Sequence, residues 1–277
     1  MIKHYLKVAF RNLIKYKTQS LVSIIGLAVG FTCFALSVLW IRYEMTYDNF
    51  HEGADRIYLV RAHYANEPGT SKFTPYPLMK YLQDKMPEIE AVTAFTAHYV
   101  KFRMEDTEQE IGMIAADSVF MNFFDIQLLK GTVNFLKCDG QEVAITKEFA
   151  KRLFSKEEDA LGKEVEVGRR VCKIGAIVSG WSNHSNIPYN ILAPARHSPQ
   201  WGSSNEQLLI RVRERTDIDA FRTKMSTVCI NDIEKESELS DLLITRMSAL
   251  RYSDYVDKAD VVISFSYIFY LFICKFN

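Results

Sequence analysis

The most constraining stretch of this 277-residue chain is Leu21 to Ile41, LVSIIGLAVGFTCFALSVLWI, twenty-one residues without a charge. As a helix rising about 1.5 Å per residue it reaches about 31 Å, the thickness of a bilayer's hydrocarbon core. A transmembrane helix is therefore predicted over residues 21–41. The residues before it lie on one side of a membrane and most of the residues after it on the other.

Charge sets the direction. The formal net charge of +0 hides an asymmetry: residues 1–43 hold Lys3, Lys7, Arg11, Lys15, Lys17 and Arg42 and no acidic residue. Residues 44–260 hold all 34 Asp and Glu against 27 Lys and Arg. By the positive-inside rule the N-terminus is expected in the cytoplasm and the body outside it. An acidic body also argues against nucleic-acid binding, which needs a basic face. A cleaved signal peptide would end in small residues after a shorter apolar run. This one ends Leu39-Trp40-Ile41-Arg42-Tyr43, so an uncleaved anchor is expected.

Residues 1–20 are read as an interfacial amphipathic helix. Lys3, Lys7, Arg11 and Lys15 recur every four residues, and Ile2, Tyr5, Leu6, Ala9, Phe10, Leu13, Ile14 and Tyr16 cover roughly the opposite half. Such a helix lies along a bilayer, its cations toward anionic headgroups and Phe10 toward the acyl chains. An ordinary globular surface helix would show the same periodicity. Inside the span, Gly26 and Gly30 form a G-x-x-x-G, which either packs closely against another helix or is a tolerated pair.

From Glu44 to Asp260 the composition is that of a folded domain. Strands are predicted over 56–64, 91–104, 109–115, 126–129, 142–145, 164–167, 171–178, 191–193, 207–212 and 242–247, from β-branched and aromatic enrichment between turn residues. Helices are predicted over 77–86, opened by Pro77, from Asp117 to Phe124, from Thr146 to Phe154 and over 217–236. Strands and short helices alternate without a regular repeat, so the fold class is an α+β extracytoplasmic domain of mixed sheets. Residues 261–277 contain Val261–Cys274, fourteen apolar residues that begin like a second transmembrane helix and stop after about 21 Å.

Motifs for chemistry are missing. There is no P-loop, H-E-x-x-H, G-x-S-x-G or S-x-x-K, and no cofactor, metal or catalytic residue is predicted. His51 beside Asp48 and Glu52 is read as a solvated polar loop before a metal site, and His184 in Ser182–Asn186 as a turn histidine. Glu105, Asp106, Glu108 and Glu110 read as an acidic hairpin tip. Cys33 and Cys274 lie in apolar runs, and nothing specifies a disulfide among Cys138, Cys172 and Cys229.

Several stretches together resemble one family. Ala9-Phe10-Arg11-Asn12-Leu13-Ile14-Lys15 followed by Ser20–Gly30 resembles the opening of MacB/FtsX-type ABC transporter permeases. Tyr47-Asp48-Asn49-Phe50-His51 with Ala54-Asp55-Arg56-Ile57-Tyr58 is similar to the segment after the first span in their Bacteroidetes-type branch. Phe123–Ile126 with Leu128–Gly131, Ala150–Phe154 and Ala160–Lys163 resemble the MacB-like periplasmic core domain.

The resemblance implies a bacterial inner-membrane permease with four transmembrane helices, a periplasmic body between the first two and a separate cytoplasmic ABC ATPase subunit. It further implies a second permease copy as partner, with a periplasmic adaptor or outer-membrane channel beyond. In such permeases ATP hydrolysis moves the outer domain through the helices, for efflux or export of peptides, antibiotics or lipoproteins. Helices two to four are missing after Cys274, so a truncated chain that does not transport alone is expected. The alternative reading is a single-span membrane-anchored extracytoplasmic sensor or binding module, which would need an output partner. An anchored hydrolase lacks a nucleophile motif.

Overall fold

The computed structural model describes residues 2–65, 68–105, 107–137, 141–154, 156–181, 184–233 and 238–250, so the predicted start of a second span lies outside the described residues. The chain divides between Thr46 and Tyr47 into two units.

The first unit is two helices, α1 (Ile2–Lys15) and α2 (Lys17–Met45), separated at Tyr16. Helix α2 is longer at both ends than the predicted span. The charge-free run marks where hydrocarbon can be crossed, whereas Lys17–Ser20, expected in the interfacial helix, and Arg42–Met45 continue the backbone of α2 through the interfaces. Leu27, Phe31, Phe34 and Leu39 are exposed around its circumference, and an all-round apolar surface of this kind is stable only in lipid or a bundle. The hydroxyls of Thr32 and Ser37 donate to the carbonyls of Ala28 and Cys33, both at 2.8 Å, so neither polar group is left unpaired in hydrocarbon. Thr46 closes the helix by donating its hydroxyl to the Tyr43 carbonyl at 2.9 Å.

In the second unit β1 (Ile57–Tyr64) and β2 (Thr74–Pro75) precede α3 (Pro77–Lys85). The hairpin of β3 (Ile89–Met104) and β4 (Thr107–Ala116) leads to α4 (Ser118–Phe123), then to β5 (Leu128–Gly131) and β6 (Glu142–Thr146). Helix α5 (Lys147–Leu153) is followed by the hairpin of β7 (Glu164–Val167) and β8 (Arg170–Val178). The last elements are β9 (Ile191–Pro194), β10 (Ser204–Val212), α6 (Ile218–Ile233) and β11 (Leu239–Arg246). The Asp117 carboxylate caps α4 by accepting from Val119 N and Phe120 N, and the Thr146 hydroxyl caps α5 by accepting from Phe149 N. The acidic hairpin is tighter than predicted: pairing runs to Met104–Thr107, and Glu108 forms ion pairs with Lys101 and Arg103.

Strand β3 organises the sheet. Its first half pairs with β10 and completes an antiparallel layer in the order β11-β1-β10-β3. Its second half pairs with β4, and from there the pairings run β4-β9-β6-β8-β7 and back to β3 through Phe102–Val167. The second half of the body is therefore a closed ring of six strands, in which β4–β9 and β6–β8 are parallel.

The apolar patterns follow from this layout. Strand β1 begins Ile-Tyr-Leu-Val because the layer is covered on both faces. Tyr58 and Val60 pack with Leu78 and Leu82 of α3 and Phe221 of α6, while Ile57 and Leu59 pack with Phe95 and Phe120. All six ring strands send side chains into one cluster inside the ring, among them Phe102, Ile111, Val165, Ile174 and Ile191. Helix α5 closes one end, with Phe149 edge-on to Phe102 at 5.1 Å.

Candidate functional site

The first turn of the body carries a buried polar cluster. Asp48 is fully buried and holds a left-handed backbone conformation (φ 59°), which Asp tolerates better than most residues. That turn aims its carboxylate at the loop before β9. The carboxylate accepts hydrogen bonds from Ser185 Oγ, from Asn186 N at 3.1 Å and from Asn186 Nδ2 at 2.6 Å. Asp48 N in turn donates to the His184 carbonyl at 3.2 Å. Asn186 Nδ2 also donates to the Met247 carbonyl at 3.1 Å, just past the end of β11. One carboxylate and one amide thus join the segment leaving the membrane helix, an internal loop and the last described segment of the body. Burial pushes the Asp48 carboxyl above its ordinary range, against the opposing pull of the Ser185 and Asn186 hydrogen bonds.

His51 stands beside this cluster, where the structure corrects the expected solvated loop. Its ring is packed among Phe50 at 4.2 Å, Phe124 at 4.7 Å and Trp181 at 4.9 Å. Burial, reinforced by the Arg211 charge, lowers its pKa to about 4, so the ring is neutral at pH 7 and its 4.0 Å approach to Asp48 is not an ion pair. The polar residues around it looked solvated because Phe124 and Trp181 come from far along the chain. His184 is structural, as expected of a turn histidine: its ring lies on Tyr47 at 3.9 Å.

This cluster holds chain segments together. The Ser185 hydroxyl donates to the buried Asp48 carboxylate and its oxygen accepts from Ile187 N at 3.1 Å, so it is engaged within the junction. No group of three or more His, Cys, Asp or Glu that could hold a metal occurs among the described residues. Cys172, inside the ring, is an unoxidised thiol whose pKa is raised by burial.

A second cluster escaped the sequence altogether. His197 lies between Glu206, 3.2 Å from Nδ1, and Asp117, 3.7 Å from Nε2, with its ring stacked on Tyr76 at 4.0 Å. Burial disfavours the imidazolium, but the two carboxylates outweigh it and lift the pKa to about 9. Glu206 belongs to the four-stranded layer through β10, and Asp117 caps α4 beside the ring, so this cation ties the two halves of the body.

The predicted membrane residues are distributed along the first unit. Gly26 and Gly30 face open space, and a methyl group added at either would meet nothing within 4 Å. Arg11 and Lys15 are exposed on α1, whereas the side chains of Lys3, Lys7 and Phe10 lie outside the described residues.

Residues 20–228 match the MacB-like periplasmic core domain. The chain belongs to that family. The fold is similar to that of solved structures. One is a domain of a protein described as a permease from Porphyromonas gingivalis, 20% identical, with 71% of this chain and 92% of that one covered at a TM-score of 0.56. Another is the extracellular domain of the noncanonic ABC-type transporter YknZ from Gram-positive bacteria, 14% identical, with 68% and 99% covered at a TM-score of 0.50. No protein of curated function matches the chain in sequence. The MacB-like family is one of ABC permease components rather than catalytic enzymes, in keeping with a buried cluster built for joining segments.

Proposed function

We propose that this chain is the N-terminal portion of the permease subunit of an ABC-type efflux or export system in a bacterial inner membrane. Helix α1 lies on the cytoplasmic surface through Lys3, Lys7, Arg11 and Lys15, α2 crosses the bilayer, and the body stands in the periplasm. A cytoplasmic ABC ATPase supplies motion, which α2 passes to the body. The permease works with a second copy, packing through the Gly26 and Gly30 face, and with a periplasmic adaptor or channel. The cargo class is peptides, antibiotics or lipoproteins.

The observation that carries this reading is the Asp48 junction. A plain anchor needs only length and apolarity, and a loose tether would suffice between it and a binding domain. Here Asp48, just behind α2, is instead locked by buried hydrogen bonds to the loop at 184–186, and Asn186 of that loop also donates to the Met247 carbonyl. Buried, satisfied networks of this kind are rigid and so convey displacement.

The test is affinity purification of the full chain from its native membrane, combined with thiol labelling of cysteines placed at Lys3 and at Glu108. The proposal expects an ABC ATPase in the eluate, with position 108 labelled from outside the cell and position 3 only after permeabilisation. Labelling of position 3 from outside, or no ATPase in the eluate, overturns it.

A further inference from the structure

Helix α5 closes one end of the six-stranded ring, but the other end is open. Between Thr96 and Arg196 it forms a mouth with about 420 Å³ of room. Its walls are inward-facing ring positions: Val100, Met113, Val143, Val167, Cys172 and Ala193. Its rim carries Arg169, from the turn between β7 and β8, Arg170, the first residue of β8, and Arg196, which follows β9. The single carboxylate in the lining is Glu206, which is already engaged by His197 and by the Thr96 hydroxyl at 3.2 Å.

A ring of this size normally fills its interior with side chains. Here small and slender residues (Ala115, Ala193, Ala195) replace bulky ones at the mouth, and the room they leave is apolar below and cationic above. Apolar walls reward an apolar tail, and paired guanidinium forks bind carboxylate or phosphate oxygens with two parallel hydrogen bonds each. An uncharged apolar ligand would leave the arginine rim unused, and a hydrophilic anion would leave the walls dry and empty.

We propose that this mouth binds a small amphipathic anion, with one apolar tail inside the ring and a carboxylate or phosphate head against Arg169 and Arg170. The inference stands on the ring alone and does not depend on the transporter reading. The same head and tail occur on free carboxylates and on single-chain membrane lipids.

Cys172 on the wall provides the readout. The full chain is reconstituted in phosphatidylcholine nanodiscs, and alkylation of Cys172 by N-ethylmaleimide is followed by peptide mass spectrometry with decanoate as the probe. Decanoate is expected to slow alkylation at least fivefold, whereas decyltrimethylammonium, with the same tail and the opposite charge, and butyrate, without the tail, leave it unchanged. The double variant R169A/R170A should lose the protection and R169K/R170K keep part of it; A193F, which fills the mouth, should abolish it. A parallel titration of ¹³C-methyl methionine protein should move the Met113 resonance with decanoate, which keeps the test valid if a variant folds poorly. A second arm replaces the nanodisc lipid with one containing lysophosphatidylglycerol: protection without decanoate assigns the ligand to the membrane, and protection by decanoate alone assigns it to solution. Equal protection by decanoate and decyltrimethylammonium, or protection by neither probe nor lipid together with an unmoved Met113 resonance, overturns the proposal.

Discussion

Asp48 and Asn186 stand 138 positions apart, yet the Asn186 backbone and side-chain nitrogens both donate to one buried carboxylate, at 3.1 and 2.6 Å. The same side-chain nitrogen reaches the Met247 carbonyl. Asp48→Ala therefore leaves two donors without their acceptor and frees the Ser185 hydroxyl. Breaking a buried, charge-assisted network of this kind destabilises by about 3 kcal/mol. The expected outcome is a lower urea midpoint for the body, read from Trp181 fluorescence, with hydrogen exchange quickening at residues 184–187 and near 247 before it does in β1. Exchange rising only at 47–51 would mean that the junction does not join the three segments.

His197 gives the body a pH dependence of known sign. Its pKa is about 9 in the folded chain and about 6.5 when unfolded, so the folded state holds the proton more tightly. The stabilisation is complete below pH 6.5, falls through the interval from 6.5 to 9 and is gone above it. With partial solvent screening allowed for, it amounts to roughly 2 kcal/mol. The unfolding free energy measured at pH 6, 7.5 and 9.5 should fall by about that amount from first to last in the unaltered chain and stay level in H197Q, apart from other titrating groups common to both.

The order of elements was legible because its signals are local. Asp117 and Thr146 cap the helices after them, Pro77 opens α3, and Gly168 at φ 65° turns β7 into β8. What stayed hidden depends on contacts between distant residues. Ring closure rests on the Phe102–Val167 pairing, which no local pattern announces. His51 looked solvated because its own neighbours are polar, while the aromatic rings that bury it come from 124 and 181. The His197 clamp joins positions 76, 117, 197 and 206, and its only local trace was a histidine in a Pro- and Ser-containing loop.

Gly112 reports on the seam between β4 and the loop that leads to β9. A methyl group there would lie 2.5 Å from the Pro188 carbonyl oxygen, well inside van der Waals contact with backbone that cannot swing aside. Overpacking of this kind destabilises by about 2 kcal/mol. G112A should lower the urea midpoint accordingly and loosen the Asn190 amide, which donates to the Gly112 carbonyl at 2.8 Å. Unchanged stability would mean that the loop is free to retreat.

Gly26 and Gly30 separate packing from mere tolerance. A side chain at either position meets nothing within 4 Å, so leucine fits sterically in the isolated chain and also raises helix propensity by up to about 1 kcal/mol per site. G26L/G30L should therefore insert in the membrane as well as the unaltered chain and leave the urea midpoint of the body unmoved. If the pair is where another transmembrane helix approaches, the added bulk holds the two backbones apart and the packing that drives association in lipid is lost. Disulfide crosslinking between copies through Cys33, one turn beyond Gly30, should then fall severalfold in G26L/G30L and persist in G26A/G30A. Equal crosslinking in both variants would assign the glycines to tolerance and leave α2 joined to its partners along another face.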